Sequence, residues 1–421
     1  MSPIEAAVQA GRWIRSAAVD DARGRHWLAG AGGAAALPHR PASLYSGAAG
    51  IVLFFLELAA VDASYLDDAA RGARYLSAVW PEQGDPTLHD GLAGIVFALA
   101  EAGWATGDDS FSLAAADAAD ELVRRAGPTG WTGDPAQRGD GGIVLALLHA
   151  SAILGVSAYE RVAVEAGLRI ARAPVPGHRF GAEPSQDLPV DAVSPGFLSG
   201  TSGTAFLLAR LYGVTGERSF LTAAQRGAAF VKAVSEVSGS CALVPHHVPQ
   251  GRHLHYLGFC SGSAGVARMF HELHRVTGDA ADLEWVERLA HGIMTSGVPG
   301  RATDGFWDVK CQCCGAAGLV ELFVGLWAAS GREPYLDFAR TLGRHLAAAG
   351  EDGRWRQAYR RLRPAEITAD TGYMVGSAGI GAALLHLDAA ERGDLRRLIL
   401  LPDNPFPAIP AASLRRLPSD P

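Results

Sequence analysis

One pattern limits what this chain can fold into. A G-x-x-G step running into an apolar stretch recurs seven times: SGAAGIVLFFLEL at Gly47, DGLAGIVFALAEA at Gly91, RGDGGIVLALLHA at Gly139, SGTSGTAFLLARL at Gly200, SGSAGVARMFHEL at Gly262, CGAAGLVELFVGL at Gly315 and VGSAGIGAALLHL at Gly376. First glycines follow one another at 44 to 62 residues, room for two helices and their loops. The runs after the glycines are apolar on nearly every side, as suits a helix buried all round. Between them lie segments such as SFLTAAQRGAAFVKAV and YLDFARTLGRHLAAA, whose 3.6-residue periodicity predicts amphipathic helices with one charged face.

Each copy therefore supplies one inner and one outer helix. With MSPIEAAVQAGRWIRSAA as the first outer helix there are seven of each, and no polar capping repeat of the kind an open solenoid needs. The expected fold is all-α, a closed (α/α) toroid of seven inner and seven outer helices in a single domain over residues 1–400. The glycines are expected to let tapered inner helices approach near the axis, with the preceding loops gathered at one mouth. Residues 401–421, rich in proline, cannot continue a helix and are expected as a C-terminal tail that packs as extended chain or stays mobile.

Composition narrows the function. A net charge of -7, spread without a basic stripe, argues against nucleic acid and anionic lipid as partners. No stretch is long and uncharged enough to span a membrane, and the first residues lack the apolar core of a signal peptide, so the expected location is cytoplasmic. In that reducing compartment, five cysteines with three in KCQCCG point to metal or catalysis rather than disulfides.

The residues immediately before each first glycine mark two copies as exceptional. Cys260 precedes Gly262 by two positions; Cys313 and Cys314 stand directly before Gly315. Equivalent positions of neighbouring copies are adjacent in a ring, so these three sulfurs are expected to converge beside helix N-termini, where thiolate is favoured. Three thiolates repel unless a cation neutralises them, and zinc with three protein ligands and an open fourth position is a catalytic arrangement. The alternative is that they are small core side chains. Cys241 and Cys311 hold no equivalent position and read as packing or surface thiols.

On LYSGAAGI, GFCSG and QCCGAAG, and through all seven copies, the chain resembles the lanthionine synthetase C-like cyclases. The resemblance implies an α/α toroid with zinc at its mouth, held here by Cys260, Cys313 and Cys314. It implies addition of a peptide cysteine thiol to dehydroalanine or dehydrobutyrine, giving a thioether ring. The partners would be a dehydrated precursor peptide and a separate kinase or dehydratase. This sequence departs from the family pattern twice: Ser199 stands where copy four usually has His, and Pro135 where copy three usually has Asp. Asp134, His255 and His89 are the candidates for the acid–base work, each with a plainer reading as a turn cap or a loop hydrogen-bonding group. Ser199, Tyr256 and Trp307 are the candidate substrate contacts. A glutathione or small-thiol transferase and a non-catalytic peptide-binding toroid with structural zinc are the competing readings. A sugar-processing barrel would need paired carboxylates, and only Asp90 directly precedes a repeat glycine.

Overall fold

A computed structural model of the chain describes residues 1–30, 39–172, 191–301, 306–307, 309–393 and 398–407, with only the backbone of Phe306 and Trp307. Seven inner helices follow the seven glycine steps: α2 (Ala48–Leu58), α4 (Leu92–Thr106), α6 (Asp140–Leu154), α8 (Thr201–Thr215), α10 (Ser263–Thr277), α12 (Ala316–Ser330) and α14 (Ser377–Arg392). Seven outer helices alternate with them: α1 (Pro3–Ser16), α3 (Tyr65–Val79), α5 (Asp109–Arg125), α7 (Ser157–Arg172), α9 (Arg218–Val234), α11 (Ala280–Thr295) and α13 (Glu333–Ala349).

Every residue of α2 is buried, whereas α13 buries only a stripe of Tyr335, Leu336, Ala339, Leu342, Gly343, Leu346 and Ala347. That contrast follows from position, since an inner helix meets protein on all sides and an outer one only on its core face. Each inner helix packs on the inner helices before and after it, and α14 packs on α2, so the ring is closed. The N-terminal helix α1 completes the closure by pairing with α14. Six inner helices end on a left-handed glycine that turns the chain sharply outward, such as Gly331 with φ 68°. In T-G-D steps the next outer helix is then capped at once, as where Asp279 accepts from the Ala281 amide.

The repeat glycines do something other than bring inner helices together. A Cβ on Gly318 would stand 2.3 Å from the Gln312 carbonyl oxygen of its own loop, and one on Gly94 would stand 2.2 Å from that of Leu88. Each loop folds back onto the first turn of its own helix, and only glycine leaves room for its main chain. The second glycine also touches the neighbouring copy's loop: Gly94 meets Leu44, Gly265 meets Phe197 and, closing the circle, Gly50 meets Tyr373. The G-x-x-G step is thus a socket that locks the mouth loops in register around the ring.

Candidate metal and thiol site

The mouth is laced by main-chain hydrogen bonds between the residues two before the first glycine in six of the seven copies. Cys260 N donates to Cys313 O at 3.1 Å, Cys313 N to Met374 O at 2.9 Å, Met374 N to Tyr45 O at 2.9 Å and Tyr45 N to His89 O at 2.8 Å. On the other side Leu198 N donates to Cys260 O at 2.8 Å. A parallel pairing of His255–Tyr256 with Phe306–Trp307 ties the loops of copies five and six further out.

This belt brings the three cysteines together. Cys260 Sγ lies 3.1 Å from Cys314 Sγ, and Cys314 Sγ 3.6 Å from Cys313 Sγ. All three are buried, are unbridged, and have sulfurs within 4.8 Å of one another. The Tyr45 hydroxyl donates to Cys313 Sγ at 3.1 Å and is itself hydrogen-bonded to the Tyr359 hydroxyl. Buried Gln357 braces the cysteine loop from behind: its Oε1 accepts from the amides of Lys310 at 2.7 Å and Cys311 at 3.2 Å, and its Nε2 donates to Val375 O at 2.8 Å.

The electrostatics of the cluster are asymmetric. Hydrogen bonds from Cys260 and Cys314, supported by the Tyr45 and Tyr359 phenols, hold Cys313 well below the usual thiol range despite its burial. The hydrogen bond to Cys313 holds Cys260 well above that range, and the one to Cys260 does the same for Cys314. Tyr45 and Tyr359 are pushed up by burial and by the neighbouring sulfur charge. One negative charge is therefore easily held among the three sulfurs, and further ionisation requires a cation.

His89 sits against this cluster, its ring at 6.2 Å from that of Tyr45 in an edge-on arrangement. It is 2% exposed and neither ring nitrogen has a hydrogen-bond partner. Burial, assisted by Arg138 and opposed by Cys313, lowers it to about 4, so the imidazole is neutral. Tyr256 also faces the cluster. Burial and the Cys314 charge raise it; it hydrogen-bonds Arg361, and its ring lies tilted against that of His246 at 4.4 Å. Ser199 is half-buried on the belt, next to Leu198.

The other candidates lie differently. Asp134 accepts from the Ala136 amide at 3.0 Å and so caps the turn at Pro135. His255 alternates with Tyr256 along a two-residue strand; its Nε2 is 3.2 Å from Glu236 Oε2, in an outer cleft shared with Cys241 and Arg301. The Trp307 side chain is outside the described residues. Tyr359, Gln357 and Arg361 belong to the long copy-seven loop, where no repeat position or periodicity singles them out.

Residues 38–400 match the family model described as lanthionine synthetase C-like protein. The chain belongs to this family. Among solved structures, nisin cyclase is similar, with a TM-score of 0.65 at 14% identity over 84% of this chain and 89% of that one, a likeness of fold. An unsaturated glucuronyl hydrolase from a Bacillus species aligns with a TM-score of 0.49 at 18% identity, over 82% of this chain and 96% of that one. A family 76 glycoside hydrolase from a bovine Bacteroides thetaiotaomicron strain aligns at 0.48 and 12%, over 93% and 78%. A search of curated proteins by sequence returned no match. Among the described residues of this lanthionine synthetase C-like chain, no helix is long and apolar enough to cross a membrane.

Proposed function

We propose that this lanthionine synthetase C-like protein is a zinc-dependent cyclase that joins peptide cysteines to dehydroalanine or dehydrobutyrine. The observation that carries this is the convergence of Cys260, Cys313 and Cys314 on one point of the mouth. The donor set suits the metal: sulfur separations of 3.1 and 3.6 Å are near the roughly 3.8 Å expected between tetrahedral ligands of zinc. Bound there by the three sulfurs, zinc would lower the pKa of an incoming thiol and hold it as a thiolate.

The remaining work falls to the chain. The thiol proton must leave; burial makes His89 a weak base, but it is neutral, has both nitrogens unpartnered beside Tyr45, and is the acceptor this reading assigns. A bond then forms between sulfur and the β carbon while the double-bond pair moves to the α carbon and its carbonyl, where negative charge accumulates. Tyr256 faces the cluster, and Arg361 hydrogen-bonds it from the exposed rim; the pair is placed to receive that charge. Protonation of the α carbon completes the addition, with no net loss or gain of atoms. Asp134 serves as a turn cap and His255 is turned to the outer cleft, which leaves His89 the favoured acid–base group of the three candidates. Ser199, half-buried on the belt, is a substrate contact in this reading, and thiolate chemistry suits a reducing cytoplasm.

The test is a dehydrated peptide carrying one free cysteine. Cyclisation leaves its mass unchanged and removes a thiol that alkylates beforehand. A mass gain of one glutathione, seen only when glutathione is supplied, would favour the small-thiol transferase. Zinc bound with neither reaction would favour the non-catalytic toroid.

A further inference from the structure

The tenth residue after the first glycine falls at the same level of every inner helix, about 15 Å below the mouth. Read around the ring, these are Glu57, Glu101, His149, Arg210, Glu272, Gly325 and His386. Six are ionisable, and they pair between adjacent helices. Glu101 meets His149 at 3.0 Å, Arg210 meets Glu272 at 3.3 Å and His386 meets Glu57 at 2.8 Å. Seven is odd, so one helix is left over; it is α12, and it carries glycine.

Residues 398–407 enter at that level. Phe406 packs where the missing side chain of Gly325 would be, since a Cβ there would lie 2.3 Å from Phe406 Cδ2, and its ring is 4.6 Å from that of His271. The Ile399 amide donates to Glu57 Oε1, and Arg210 Nη2 donates to Asn404 O at 3.3 Å. Asp403, wholly buried, meets Arg268 at 3.5 Å, and that arginine is itself 4% exposed. One short segment thus touches α2, α8, α10 and α12. α2 and α8 stand three places apart around a ring of seven, as far apart as two of its helices can be, so the segment spans the width of the bore.

We propose that the end of the bore opposite the cysteines is a peptide-binding pocket, and that residues 398–407 occupy it as a ligand supplied by the chain itself. The pocket recognises an acidic side chain through Arg268, an aromatic ring through Gly325 and His271, and main-chain groups through Glu57 and Arg210. The ring is then a cup with one mouth: a substrate peptide reaches the cysteines and leaves by the same side, without threading through.

The experiment uses the full chain with a protease recognition sequence inserted between Gly393 and Leu398 and cut after folding. The severed tail is expected to co-elute with the ring, to be displaced by excess synthetic peptide of residues 398–407, and to leave at least about tenfold faster when it carries Asp403→Asn or Phe406→Ala. In the uncut chain the same substitutions should accelerate hydrogen exchange of the Ile399 amide by a similar factor while the zinc content stays unchanged. A severed tail that departs at once and leaves the thermal midpoint of the ring unaltered overturns the proposal. So do release and exchange rates that ignore both substitutions.

Discussion

Cys260 Sγ and Cys314 Sγ stand 3.1 Å apart although 54 residues separate them in sequence. The contact is a consequence of the ring. Both loops are seated on their own glycine sockets, and the Cys260 amide reaches the Cys313 carbonyl of the next copy, so the sulfurs have little freedom to part. A site built this way depends on loop supports as much as on its ligands.

Gln357 is one such support. Replacing it with leucine leaves the part-buried amide of Lys310, the buried amide of Cys311 and the Val375 carbonyl without their partner. Gln357→Leu is expected to lower stability by about 2–4 kcal/mol and to weaken zinc binding roughly tenfold. Urea unfolding and competition with a zinc-binding dye measure the two effects. Wild-type behaviour in both would remove Gln357 from the site.

The socket itself can be tested at Gly318. An added methyl would stand 2.3 Å from the Gln312 carbonyl, immediately before Cys313, whereas one on Gly84 would meet nothing within 4 Å. Gly318→Ala should therefore cost about 1–3 kcal/mol and loosen metal binding, while Gly84→Ala should be neutral or slightly stabilising. Equal thermal midpoints for the two variants would contradict the socket.

Two bore histidines give stability opposite pH dependences. Burial lowers His271 to about 4, with Arg275, Arg210 and His274 adding to the effect and Glu272 opposing it. The unfolded chain binds that proton more readily, so this contribution is lost as pH falls from about 6.5 to about 4, on the order of 3 kcal/mol. His386 lies buried between Glu57 and Glu321, at 2.8 Å from each, and these carboxylates raise it well above the usual range despite burial. Its contribution is complete below about 6.5 and is lost as pH rises through the elevated folded value. His271→Phe should flatten the acid limb of a stability–pH curve. His386→Leu should flatten the alkaline limb and destabilise at neutral pH by about 3–5 kcal/mol, by leaving two buried carboxylates uncompensated. Unchanged limbs in chemical denaturation across pH would contradict both assignments.

What the sequence disclosed depended on distance along the chain. The glycine steps, the buried and amphipathic helices and the matched positions of Cys260 and Cys313 are local or periodic signals, and they yielded the toroid and its sulfur cluster. The purpose of the glycines was misread because the group that needs the space is a loop carbonyl, which leaves no side-chain trace. His255 reads as a mouth residue beside Tyr256 because a two-residue strand is too short to reveal which face is which. Gln357, Tyr359 and Arg361 lie in a loop without periodicity. The charged pairs at the tenth helix position require the order of helices around the ring, and the path of residues 398–407 follows only once Gly325 is seen as the unpaired member.

The most direct test of the central claim is zinc X-ray absorption on the purified protein, before and after addition of a thiol. The account predicts one zinc per chain with about three sulfur neighbours and one lighter atom, rising to about four sulfurs when the thiol is added, and loss of the metal in Cys314→Ala. Four protein sulfurs at the outset, with Cys311 completing the shell and no response to thiol, would contradict it, as would a chain that binds no zinc.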